Sequence, residues 1–242
     1  VEETFPRYKN LGIRAAEVPF TYQVFIRRKE DALRVKKAAE KFNIKLSVHA
    51  PYWINLNSKE KEKIRKSKER ILRCCEVGHW LGAERVVFHP GYYGGMEKEQ
   101  TYYNIKAEIL DMLEEIRKNN WKIKLCPETT GKKNVFGSID EILRLVDETG
   151  CGFCIDFAHI RARYKEVKYK EVLQKFSKFK TLHLHFSGIE AGEKGEKKHV
   201  LTKKVEAREL IEALEKYAKD KEIVIINESP DPVGDSVMML RL

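Results

Sequence analysis

Seven short, almost continuously apolar runs recur along this chain, separated by longer amphipathic segments, and that alternation restricts the fold more than any other feature. The runs are Leu11–Val18, Ile44–His49, Arg85–His89, Lys122–Glu128, Gly152–Asp156, Thr181–His185 and Glu222–Glu228. Apolar side chains on both faces are what parallel strands require, because helices cover each face of their sheet. Helical periodicity fills the intervals near Glu30–Lys41, Lys59–Leu81, Lys98–Asn119, Ile139–Glu148, Lys168–Phe179 and Glu206–Lys219. Ser138-Ile-Asp-Glu141 has the spacing of a capping box, and Gly150 suits the far end of the helix it opens. The alternation predicts an α/β fold with a parallel sheet and helices outside it. Seven strands in 242 residues fall one short of a (β/α)8 TIM barrel, whose usual size is about 250 residues. The final Met238-Met239-Leu240-Arg241-Leu242 reads as a helix only beginning. No low-complexity linker divides the chain. The expectation is one TIM-barrel domain over residues 1–242, with the first strand and part of the last helix outside the given sequence.

Composition narrows the functional classes. Hydrophobic residues make up 42% and aromatics 10%, enough to fill a core and too many for a disordered tail. The longest apolar runs, such as Ile223–Ile226, are far shorter than the ~20 residues of a membrane span. The charged opening Val1-Glu2-Glu3-Thr4 is unlike a signal peptide, so a soluble cytoplasmic protein is expected, with no membrane partner. Five cysteines, an odd number, argue against a disulfide framework, and Cys151-Gly-Phe-Cys154 reads as buried strand cysteines rather than a redox motif. Lys+Arg 47 against Asp+Glu 37 gives a net charge of +10. On charge alone that excess reads first as solvated helix faces, and second as a footprint for a polyanion.

What stands at the end of each strand is more informative. The apolar runs terminate in His49, His89, Glu128, Asp156, His183 and Glu228. In a barrel the C-terminal strand ends converge on one mouth, so residues scattered in sequence meet in one pocket. Any one of these has a plain structural reading, a loop anchor or a helix N-cap. Together, close imidazoles and carboxylates without a cation would suffer repulsion and desolvation. The donor set predicts a divalent metal centre, with zinc or manganese fitting best. His159 follows Asp156 at i+3, and His199 lies in the polar loop Glu190–His199 after Thr181–His185, the seventh strand of a full barrel; both join the set. His185 lies on the same side of its strand as His183 and is a reserve ligand, while His79 beside Trp80 reads as structural.

Six motifs carry a resemblance: Ser47-Val-His-Ala-Pro-Tyr-Trp-Ile-Asn-Leu56, Val87-Phe-His-Pro-Gly91, Pro127-Glu-Thr-Thr-Gly131, Cys154-Ile-Asp-Phe-Ala-His159, His183-Leu-His185 and Asn227-Glu-Ser-Pro230. In this order and spacing, from about Leu11 to Pro232, the chain resembles endonuclease IV, the metal-dependent apurinic/apyrimidinic endonucleases on a TIM barrel within the xylose-isomerase-like superfamily. The resemblance implies a monomer acting on double-stranded DNA in base excision repair, cleaving the phosphodiester 5′ of abasic sites. It implies two or three zinc ions, with manganese as substitute, and a nucleophilic metal-held hydroxide. His49, His89 and Glu128 would hold the first ion; Glu128 would bridge to a second with Asp156, His183 and Glu228; His159 and His199 would face a third. Glu128 and Glu228 are the catalytic candidates that orient or deprotonate the attacking water. The family pattern places Asp-Arg-His at the last histidine, where this chain reads Lys197-Lys198-His199. A charged lysine binds no metal, so the third site is weaker, filled from Glu196 or Glu193, or empty.

The same resemblance places Tyr52 and Trp53 where family members wedge side chains into DNA at the lesion. Arg27 or Arg28 is the candidate for an inserted arginine, and no motif fixes which. Gly91–Gly95 and Thr129–Lys133 read as mouth loops suited to phosphate contact. Two rivals stand beside this reading. A sugar isomerase or epimerase of the same superfamily needs only Glu128, Asp156, His183 and Glu228 around one ion. A non-catalytic protein binding damaged DNA is the other. His49, His89, His159 and His199 are superfluous to the isomerase, and +10 suits nucleic acid better than a neutral sugar.

Overall fold

Each apolar run becomes a strand of one parallel arc in the computed structural model, which describes residues 1–242. A short 3-10 turn and α1 (Phe5–Asn10) lead into β1 (Ala15–Pro19), α2 (Lys29–Phe42), β2 (Lys45–His49) and α3 (Lys61–Leu81). Then follow β3 (Arg85–Phe88), α4 (Lys98–Lys118), β4 (Lys124–Pro127), α5 (Ile139–Thr149) and the short β5 (Ile155–Asp156). The last part runs α6 (Phe157–Tyr164), α7 (Tyr169–Lys175), β6 (Thr181–Phe186), β7 (Gly188–Gly192), β8 (Gly195–Val200), α8 (Lys204–Tyr217), β9 (Glu222–Asn227) and α9 (Pro232–Met239).

The pairing is β1-β2-β3-β4 in one parallel sheet and β5-β6-β9 in another. A parallel bridge from Glu128 to Cys154 joins them, with Cys154 N–H donating to Pro127 O at 3.1 Å. The arc is thus continuous from β1 to β9, and its architecture is that of an α/β TIM barrel. β1 and β9 do not pair with each other. Between them opens a cleft of about 810 Å³, walled by Ile13, Ala16, Ile223 and Ile225 and reaching Glu17, His49 and Glu228 at its upper end.

The helices bury the faces their spacing predicts. In α4, Tyr102, Ile105, Ile109, Met112 and Ile116 recur at three- and four-residue steps and all are buried. In α5, Ser138 Oγ accepts from Glu141 N–H while Glu141 reaches back to Ser138 N–H, so the capping box forms, and Gly150 ends the helix at φ 73°. All five cysteines are buried and free.

Three elements depart from the sequence reading. The stretch Glu190–His199, read as a polar loop, is the β7–β8 antiparallel hairpin, pairing Ile189 with His199 and closing between Gly192 and Gly195. Its outer face carries Glu190, Lys197 and Lys198, so it offers no apolar alternation to read. α6 starts directly from β5, with Asp156 as its N-cap. The terminal helix does not begin near Met238: Asp231 caps it, Pro232 occupies its first turn, and it ends at Met239.

Candidate metal centre

Strand register decides which side chains share the mouth. β5 and β6 pair Asp156 with His185, which leaves His183 one layer deeper, grouped with Cys154. The four-donor cluster is therefore Glu128, Asp156, His185 and Glu228, whose ligand atoms all lie within 4.8 Å of one another. His183, expected there, instead faces Glu17, with its Nε2 3.4 Å from Oε2. His185, the reserve, occupies the expected position.

Glu128 is the hub. It emerges from β4 fully buried, its backbone N–H donating to Phe88 O. Its Oε2 lies 2.9 Å from His89 Nε2 and 3.2 Å from His49 Nε2. Its Oε1 lies 3.1 Å from His185 Nδ1, which is also 3.3 Å from Glu228 Oε1. Three donor groups radiate from this carboxylate: His49 with His185, His89 with His159, and Asp156 with His185 and Glu228. A fourth joins Asp156, His159 and His199.

Backbone and side-chain contacts preset the imidazoles. His49 Nδ1–H donates to Ala50 O at 2.8 Å, and His159 Nδ1–H to Thr129 O at 2.9 Å. A ring whose outer nitrogen carries the proton turns a lone pair on the other nitrogen inward, as metal ligation needs. Asp156 combines both readings of a strand-end acid. Its Oδ1 caps α6 by accepting from His159 N–H at 2.6 Å. Its buried Oδ2 has no hydrogen-bond partner, and neither have His159 Nε2, His183 Nε2 and His185 Nε2. Buried polar atoms are rarely left unpaired. Asp156 Oδ2 and His159 Nε2 belong to residues of the donor clusters and are open to a ligand, while the other two nitrogens face Glu17. Nitrogen and carboxylate donors at this spacing fit a divalent cation.

The charges bear the strain of such crowding. Burial opposes the charged form of His49, but Glu128 beside it more than offsets this and raises its pKa from 6.5 to about 9. Burial likewise opposes ionisation of Glu228, yet His185 holds its carboxyl at about 2. Asp156 behaves differently: burial raises it to about 6 despite His159, with Glu228 and Glu128 adding repulsion. Burial also opposes the charge on Glu17, which His185 nonetheless keeps well below the ordinary carboxylate range.

Beyond Asp156, the hairpin supplies the outer donors. Its strand β8 sets His199 beside the His159 ring, with centroids 5.2 Å apart, while Ser187 Oγ and His199 Nδ1 lie 2.6 Å apart. Glu196 Oε2 lies 3.5 Å from His159 Nε2. Lys197 turns outward to Glu190, and Glu193 is exposed at the hairpin tip. Of the two acids considered for the gap left by Lys197, Glu196 is the one that faces the centre.

Around the rim, Tyr52 and Trp53 are 60% and 63% exposed, so neither packs beneath its loop. Arg28 is engaged by Asp31, donating from Nε at 2.8 Å and from its terminal nitrogen at 2.9 Å. Arg27 lies exposed beside it. In the Thr129–Lys133 loop the threonines are buried, while Lys132 and Lys133 are exposed and meet the hairpin tip, where Lys133 N–H donates to Lys194 O. His79 Nδ1 accepts from Lys122 N–H, a structural contact far from the mouth.

Glu17 was not anticipated. Its inward position on β1, pairing with Ser47 on β2, gives an acid inside an apolar run as the only sequence signal.

Comparison with known proteins bears on the fold. A family model described as a xylose isomerase-like TIM barrel matches residues 5–238. An uncharacterized protein of Methanocaldococcus jannaschii is 37% identical over 96% of this chain and 88% of its own length. An apurinic-apyrimidinic endonuclease of Caenorhabditis elegans is 32% identical over 60% of this chain, which spans 40% of that protein. Among solved structures, endonuclease IV from Thermus thermophilus superposes with a TM-score of 0.71 at 19% identity, covering 100% of this chain and 94% of that one. A D-psicose 3-epimerase reaches a TM-score of 0.69 at 15% identity, covering 99% and 89%.

Proposed function

The chain belongs to the xylose isomerase-like TIM barrel family, and from that premise we propose that it is a metal-dependent endonuclease that hydrolyses the phosphodiester 5′ of abasic sites in duplex DNA. One observation supports this above all. The donor set around Glu128 extends past the Glu128-Asp156-His185-Glu228 quartet to His49, His89, His159 and His199. A single-ion sugar epimerase has use for the quartet alone; a phosphodiesterase has use for all of them, because several cations neutralise the charge of a phosphate under attack.

In this reading the first ion takes His49, His89 and Glu128, and the second takes Glu128, Asp156, His185 and Glu228. A third takes His159 and His199, with Glu196 in the role the family gives to an aspartate. Zinc suits these nitrogen and carboxylate donors best, and manganese substitutes. The cations supply Lewis acidity toward phosphate oxygens and lower the pKa of water toward neutrality. Glu128 and Glu228 are the residues that would orient or deprotonate that water. Tyr52 and Trp53 wedge into the gap left by the missing base. Arg27, free of the pairing that engages Arg28, is the better candidate to follow them, and Lys132 and Lys133 meet the backbone phosphates.

A nicking assay tests the proposal. A duplex with one abasic-site analogue is incubated with zinc or manganese, with and without chelator. Metal-dependent cleavage on the 5′ side of the lesion is expected. Binding without cleavage would reassign the protein to non-catalytic lesion recognition, and ketose turnover without nicking would favour the epimerase.

A further inference from the structure

Beneath the metal donors sits a buried carboxylate that no cluster of ligands includes. Glu17 projects inward from β1, with its side chain 5% exposed. Three groups converge on it. Ser47 Oγ donates to Oε2 at 2.7 Å, His183 Nε2 lies 3.4 Å from the same oxygen, and His185 Nε2 lies 3.1 Å from Oε1. His185 is thus held between two layers. Its Nδ1 faces Glu128 and Glu228 at the mouth, and its Nε2 faces Glu17 below.

We infer that Glu17 is the positioning residue of the metal centre: its carboxylate faces the Nε2–H of His185 as acceptor, which keeps the proton on Nε2 and commits Nδ1, with its lone pair, to the cation. The inference rests on the metal-centre reading above. A lone buried carboxylate is costly unless paired, and the groups near Glu17 leave few ways to pair it. Ser47 fixes one oxygen by a hydrogen bond, with His183 Nε2 beside it, and the other oxygen faces His185 Nε2. Neither imidazole nitrogen has a hydrogen-bond partner elsewhere. Glu17 cannot ligate the same cation, because the His185 ring stands between them. His49 and His159 reach the same arrangement through carbonyl oxygens, Ala50 O and Thr129 O. Of these three imidazoles, His185 alone has a carboxylate as the nearest acceptor of the nitrogen turned away from the proposed cation. A carboxylate raises the basicity of the ring it holds, which a carbonyl does less well. The deeper histidine is accounted for by the same geometry: His183 faces Glu17 rather than the mouth.

The test reads metal affinity and ligand geometry without DNA. Zinc affinity is measured by competition with a chromophoric chelator, and the visible spectrum of the cobalt-loaded protein reports the ligand field. For Glu17→Gln, zinc affinity at the quartet site is expected to fall about 10- to 100-fold, the usual effect of removing such a partner. The cobalt bands should shift. Ser47→Ala, which deletes one hydrogen bond and leaves the charge, should lower affinity in the same direction by a smaller factor, and it serves if Glu17→Gln fails to fold. Unchanged affinity and an unchanged cobalt spectrum in either folded variant overturn the role of Glu17 alone. A wild-type protein that binds neither zinc nor cobalt overturns the metal-centre reading itself.

Discussion

Glu128 shares its two oxygens among four imidazoles, with His49 and His89 on one and His185 and His159 on the other. Replacing it with glutamine removes the one charge shared by the first and second proposed ions. Nicking by Glu128→Gln is expected to drop by roughly three orders of magnitude, about 4 kcal/mol of transition-state stabilisation. The rate comparison with wild type under saturating metal checks it, and a residual rate above a tenth of wild type would sink the assignment. The same carboxylate sets a pH dependence. With its pKa raised from 6.5 to about 9, His49 is protonated at pH 7 in the metal-free protein. The sign follows from linkage: a raised folded-state pKa stabilises fully below 6.5, and that contribution is lost as pH rises through about 9. Metal must displace the proton, so zinc binding at pH 7 should release protons and tighten toward pH 9. Calorimetry in buffers of differing ionisation enthalpy counts them; binding heats independent of buffer would contradict it. At this scale the sequence shows which donor types gather at the mouth, and less well which individual residues do. His183 and His185 both face inward, and only the pairing of Asp156 with His185 says which one reaches the mouth. Register is a relation between distant segments, and nothing local to Thr181–Phe186 encodes it.

The hairpin is the element through which this chain departs from the endonuclease IV pattern it resembles. β8 is fastened to the loop after β4: Gly195 bridges Lys132, and Glu196 N–H donates to Gly131 O at 3.2 Å. Gly195 sits at φ 100°, and a Cβ there would overlap the carbonyl oxygen of Gly131. Gly195→Ala therefore has to lift the hairpin from the loop, at a local cost of roughly 1–3 kcal/mol. Glu196 and His199 would move away from His159. Elemental analysis should find one metal equivalent fewer per chain, with the remaining ions retained; wild-type stoichiometry would rule out a third site built on the hairpin. Ser138→Ala is the contrasting case. It breaks the capping box of α5, on the outside of the barrel, at about 1 kcal/mol. Melting should fall by about 2–4 °C for a chain of this size, with metal content unchanged. These two elements also mark what the sequence reveals about structure. α5 announces itself by its cap and its apolar stripe, Ile142, Leu145 and Val146. The hairpin is polar on one face and held by backbone contacts to another loop, so periodicity has nothing to detect.

Across the whole molecule, the net charge of +10 is distributed unevenly in depth. Glu17, Glu128 and Asp156 are among the acids buried within the barrel, where imidazoles face them and where cations are proposed to bind. Lys132, Lys133, Lys194 and Arg27 are exposed along the mouth. Neutralising the interior with metal leaves the rim basic, the distribution a duplex backbone requires and a neutral sugar does not. The two readings separate by salt. With about five phosphates neutralised, the logarithm of the association constant should fall with the logarithm of salt at a slope of about −4.5, so affinity drops on the order of 500-fold from 50 to 200 mM. Removing one lysine that pairs with a phosphate lowers the slope by about one. The double variant Lys132→Gln with Lys133→Gln should therefore flatten the slope by about two. Its zinc content should match wild type, because neither lysine is a ligand. Fluorescence anisotropy of a labelled abasic duplex across a salt series, with the metal bound and a phosphorothioate at the scissile position to slow cleavage, measures both slopes. A slope near zero in the wild type would remove DNA as the partner, and an unchanged slope in the variant would move the phosphate path away from the loop after β4.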